Sequence, residues 1–87
     1  MTLQDIIKKH PNRYVVLRAL ERDSDGKVVS WEVLNTSSSL EEAKELQQSY
    51  KMQFVSGVVI YDTSEPEDEF QASIVAEFFR VYYNLED

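Results

Sequence analysis

The sequence predicts an α+β fold: a short N-terminal helix followed by β-β-α-β-α, with a three-stranded, mainly antiparallel sheet and helices packed on at least one face. Three observations predict it. Two stretches of strand-like residues, RYVVLRALER (13–22) and KVVSWEVLN (27–35), flank the turn sequence DSDG. The pairs Ser39/Glu42 and Ser64/Glu67 have the spacing of helix capping boxes. Between the two helices they announce lies FVSGVVIYD (54–62), too short for a helix and apolar on both faces. At 87 residues the chain is expected to form one domain over 1–87.

The elements follow in order. Thr2 can cap a helix over 3–10, with Asp5 at its third position and Leu3, Ile6, Ile7 and His10 on one face; Pro11 ends it. In the hairpin, Asp23 suits the first position of a type I turn and Gly26 a left-handed bulge. That turn sets Arg18 opposite Glu32. It places Val15, Leu17 and Ala19 on a common face with Val29, Trp31 and Val33. The helix after Ser39, over about 40–50, carries Leu40, Ala43, Leu46 and Tyr50 on a narrow arc. The run 54–62 reads as the most buried strand and the centre of the sheet. The last helix, 65–85, has Pro66 in its first turn and half of the chain's aromatic residues: Phe70, Phe78, Phe79, Tyr82 and Tyr83. Its apolar arc passes half the circumference, wider than the stripe of about 100° that packing on one surface needs.

Charge is segregated. The formal net charge is −7, yet residues 1–61 hold eight Lys/Arg and eight Asp/Glu, while residues 62–87 hold eight acids and only Arg80 as a base. Five acids fall within DTSEPEDEF (62–70): Asp62, Glu65, Glu67, Asp68 and Glu69. Acids in the first turn of a helix face the positive end of its macrodipole, which accounts for part of the cluster. The excess beyond a cap points to recognition.

Several chemistries find no support. There is no cysteine, so neither disulfides nor thiolate ligands arise, and a cytoplasmic setting is expected. The single histidine, His10, lies at a helix end beside Pro11, and no serine sits in a nucleophile elbow. With Gly26 and Gly57 the only glycines, no phosphate-cradling loop exists. DSDG resembles the start of a calcium loop, but position 34, where the closing carboxylate belongs, is Leu34. No apolar run reaches the ~18 residues of a membrane span, and MTLQDIIKKH lacks the apolar region of a secretory signal. Lys8, Lys9, Arg13, Arg18 and Arg22 make a modest basic stripe, but the overall field repels phosphate, so direct nucleic-acid binding is not expected. No enzyme, cofactor or metal site is expected.

What remains is a non-enzymatic, acidic protein-binding module. Its partner surface is expected at Asp62, Glu65, Glu67, Asp68 and Glu69, with Phe79 and Tyr83 as anchors farther along the same helix. The most concrete form is a small inhibitor that occupies a basic, nucleic-acid-binding groove of a partner protein by charge mimicry, of the anti-restriction or anti-CRISPR kind. The alternative is a homo-oligomeric regulatory or accessory subunit that associates through the apolar edge of the last helix.

Overall fold

The computed structural model describes residues 1–84, with side chains through residue 76. The order is α1 (Leu3–Lys9), β1 (Tyr14–Arg22), β2 (Val28–Ser37), α2 (Leu40–Met52), β3 (Val58–Asp62) and α3 (Glu67–Asn84). It is an α+β fold with one antiparallel sheet in the order β2-β1-β3. The central strand is therefore β1, and the run expected at the centre, shortened to Val58–Asp62, forms an edge. The reason lies in β1 itself: Val15 and Leu17 are buried on one face and Val16 on the other, so β1 needs cover on both sides.

Two layers supply that cover. On one face α1 and α3 close a core of Leu3, Ile6, Val15, Leu17, Val28, Trp31, Tyr61, Phe70 and Ile74. Phe70 is its hub, stacked on Tyr61 at 4.2 Å between ring centroids and tilted against Trp31 at 5.6 Å. On the other face α2 lays Ala43 over Val16 and Val58, while Leu34, Leu46, Tyr50 and Ile60 stay only partly buried around them. One helix cannot span three strands, so this second core is thin.

Caps form where the sequence places them at α1 and α2. The Thr2 hydroxyl accepts from Asp5 N–H at 3.3 Å, and the Ser39 hydroxyl from Glu42 N–H at 3.1 Å. The hairpin turn also forms as read. Asp23 Oδ1 accepts from Asp25 and Lys27 N–H, and Gly26 has φ of 83°.

The hairpin register holds in its middle, pairing Leu17 with Val33, Arg18 with Glu32 and Ala19 with Trp31. Toward the turn it departs, because Leu20 and then Val29 are each looped out of the ladder. An extra residue reverses which face the next side chains take. Val28 therefore enters the core, and Val29, expected there, is 47% exposed. A third irregularity makes Leu34 the extra residue, and the Tyr50 hydroxyl donates to its carbonyl at 3.0 Å. Leu40, expected on the packed arc of α2, is instead exposed.

Candidate functional site

The acidic segment is built on the turn from β3 into α3. Asp62 ends β3, and its Oδ1 accepts from Ser64 N–H at 2.9 Å and from the Ser64 hydroxyl at 2.6 Å. Glu65 N–H donates to Asp62 O at 2.9 Å and closes the turn. The expected Ser64/Glu67 capping box does not form: the Ser64 hydroxyl donates to Asp62 Oδ1 and accepts no bond from the first turn of the helix. The helix instead starts at Glu67, and its first backbone bond runs from Phe70 N–H to Pro66 O at 3.2 Å. Pro66 thus stands just before the helix, where its missing N–H leaves nothing unsatisfied.

Two buried groups fix this turn from below. The Thr63 hydroxyl donates to His10 O at 2.6 Å and accepts from Arg13 N–H at 2.9 Å, while Thr63 N–H donates to Arg13 O at 2.9 Å. Tyr61, fully buried, donates its hydroxyl to Glu65 O at 2.9 Å. Burial raises the Tyr61 pKa above that of a free phenol, and the nearby Glu67, Glu65 and Asp62 raise it further.

The acids divide by role. Asp62 and Glu67 are partly buried, whereas Glu65, Asp68 and Glu69 are exposed. Glu67, Asp68 and Glu69 occupy the first turn of α3, where the macrodipole favours negative charge. Among the described residues none of the five forms an ion pair, and no cluster of His, Cys, Asp and Glu has a metal-binding arrangement. Glu67 also borders a cleft of about 290 Å³, shared with Thr2, Leu3, Lys27, Val28 and Gln71. Phe79 and Tyr83 belong to the C-terminal half of α3, and their side chains lie outside the described residues.

Elsewhere the candidate ligands are held in structural bonds. Asp23 Oδ1 is occupied by its own turn, and DSDG forms the turn of the β1–β2 hairpin. Arg18 pairs with Glu32 at 3.1 Å, which offsets one cation of the basic stripe, and Arg22 donates to Gly26 O at 2.8 Å. No helix among the described residues is long and apolar enough to cross a membrane.

One prominent surface feature escapes the sequence reading. Phe54, expected inside a strand, follows α2 with a left-handed φ of 65° and a side chain 96% exposed, beside Met52 at 73%. Its N–H donates to Lys51 O and that of Val55 to Tyr50 O, the paired bonds of a Schellman helix end. The one hint in the sequence is that MQFVSG offers no glycine near the end of the helix, so a left-handed helix end there falls on another residue. No protein-family model matches the chain, and no curated protein or solved structure shows significant similarity to it.

Proposed function

We propose that this protein is a non-enzymatic binding module that docks Asp62, Glu65, Glu67, Asp68 and Glu69 on a basic surface of a partner protein, one that ordinarily holds nucleic acid. The supporting observation is the state of the acidic turn. Among the described residues its exposed carboxylates have no ion-pair partners, while the backbone beneath them is anchored by Thr63 and Tyr61. A surface ordered before binding loses less conformational entropy on docking. Charges held without counter-charges attract an oppositely charged partner from a distance and speed encounter. Phe79 and Tyr83 follow on the same helix, Tyr83 about 40° around from Glu69 at 100° per residue, and belong to this reading as apolar anchors. The reading assumes a cytoplasmic setting.

The test is capture of partners from the source cell at low and high salt, followed by binding kinetics. The quadruple variant Glu65→Gln, Glu67→Gln, Asp68→Asn, Glu69→Gln should associate more slowly and lose the salt dependence. The captured partner should release its nucleic acid when this protein is added. Wild-type association by the quadruple variant at low salt, or a partner that binds nucleic acid and this protein together, would refute charge mimicry.

A further inference from the structure

The two edges of the sheet are treated differently. On the β2 edge, Trp31 exchanges both backbone bonds with Met1, at 2.8 and 2.9 Å. Thr36 N–H is taken by Asn35 Oδ1 at 2.8 Å, Val28 O by Gln71, and three irregularities break the ladder behind it. Such devices blunt an edge against pairing with another chain.

The β3 edge is blunted less: its ladder to β1 runs without irregularity, and among the described residues its only outward groups already taken are Val58 O, by Gln47, and Asp62 O, by Glu65 N–H. Because Trp31 turns its backbone groups outward to Met1, its partner Ala19 turns its own toward β3. Alternation along β1 then makes Leu17 and Val15 the residues bonded to β3, opposite Val59 and Tyr61. Val58, Ile60 and Asp62 must face outward. Gln47 Nε2, reaching Val58 O from α2 at 2.8 Å, agrees with this, as does Glu65 N–H on Asp62 O. Val58 N–H, Asp62 N–H and both backbone groups of Ile60 are left without a partner among the described residues.

Charge along this edge is polarised. Gln47 fixes the side of α2 that overlooks the start of β3. Lys51 and Lys44 stand about 40° and about 60° around the helix from it, away from the packed Ala43 and Tyr50. Both lysines are exposed. Asp62 and Glu65 stand at the other end of the strand. The chain leading from the end of α2 into β3 carries Met52 and Phe54, the most exposed large apolar side chains among the described residues.

We infer that β3 pairs antiparallel with β3 of a second copy, about a two-fold axis at Ile60, to make a continuous six-stranded sheet. Ile60 meets Ile60 and supplies two backbone bonds, and Val58 meets Asp62 on either side. The antiparallel sense brings the Lys44/Lys51 end of one copy against the Asp62/Glu65 end of the other, twice. The partner's turn also covers Phe54 and Met52. These flanks are needed, because a five-residue strand pair alone falls short of the ~1,200 Å² typical of stable interfaces. Asp62 and Glu65 are shared with the docking proposed for the acidic turn, whereas Glu67, Asp68 and Glu69 are not used by this contact; the dimer is read by self-association alone, so its test can fail without the docking failing, and the reverse.

The experiment is sedimentation across a wide concentration range, with hydrogen exchange read at single amides. The wild-type chain should dimerise reversibly, and the Ile60 amide should become protected as concentration rises. Ile60→Pro removes an N–H that β1 does not use, so it should keep the monomer's ladder at Leu17 and Val59 while weakening the dimer about tenfold or more. Should Ile60→Pro fail to fold, charge exchange decides. Lys51→Glu and Glu65→Lys should each weaken the dimer, and the double variant should recover it. A chain that stays monomeric at all concentrations overturns the inference. So does a dimer with an unprotected Ile60 amide, or an Ile60 amide protected only by a foreign strand added from cell extract.

Discussion

Replacing Phe54 with glycine should stabilise the monomer. An L-residue in the left-handed region costs about 1–2 kcal/mol relative to its favoured basins, and Phe54 sits there at φ 65°. Glycine removes that strain but gives the unfolded chain more freedom, a loss of ~0.5–1 kcal/mol. Full burial of a phenylalanine is worth about 1.5–3 kcal/mol, but this ring is 96% exposed, so truncation removes little packing. The net gain is about 0.5–1 kcal/mol, or ~2–8 °C in Tm for a domain of this size. Chemical and thermal denaturation should be followed at dilution, where any self-association is absent. Phe54→Ala is the control: it deletes the ring, keeps the strain and should be nearly neutral. Asn12, at φ 54°, is the second control, because asparagine tolerates this region and Asn12→Gly should gain less. Destabilisation by Phe54→Gly, or an equal gain from Phe54→Ala, would refute the strain argument.

Three further outcomes are expected. Arg18 and Glu32, each about two-fifths exposed, should show a coupling of only ~0.2–1 kcal/mol in a double-mutant cycle read by urea denaturation. Asp62→Ala should cost about 1–2 kcal/mol by the same measurement, and Ser64→Ala clearly less, since Asp62 and not Ser64 organises the turn. In alkaline titration followed by tyrosinate absorbance, Tyr61 should ionise above the ordinary phenol value near 10. A pKa raised by folding means the native state holds its proton more tightly. Its stabilising contribution is therefore complete below the unfolded value and is lost as pH rises through the folded one, and Tyr61→Phe should remove that pH dependence.

Local chemistry was the legible part of this chain. The caps at Thr2 and Ser39, the turn at Asp23–Gly26 and the Arg18–Glu32 pairing each depend on residues a few positions apart or on one tight turn. Strand order was not legible, because an apolar run such as VVIYD fits a centre or an edge with equal ease. What decides is the demand of β1 for cover on both faces, a property of the assembled layers. Bulges hid in the same way. Nothing local in KVVSWEVLN says that Val29 will be looped out in favour of Val28; the burial of Val28 beside Trp31 and Phe70 selects it. At the acidic site, composition located the segment, but the Ser64 hydroxyl donates to Asp62 and the helix starts at Glu67, past the residue the capping pattern implied.

Phe54 connects stability to surface function. A residue kept for folding should improve the monomer, yet this position favours glycine and the ring touches almost nothing. Strain held without a packing return is characteristic of sites that act on something outside the fold. Phe54 lies in the connection from α2 to β3, which leads into the end of the strand that Gln47 reaches from α2. If a second copy covers it there, Phe54→Gly should have opposite effects on two equilibria: a more stable monomer and a weaker dimer. Unfolding at dilution and sedimentation at high concentration read the two separately. A variant that stabilises the monomer and leaves association unchanged would show that Phe54 lies outside the contact, and would confine the interface to the strand and its charged flanks.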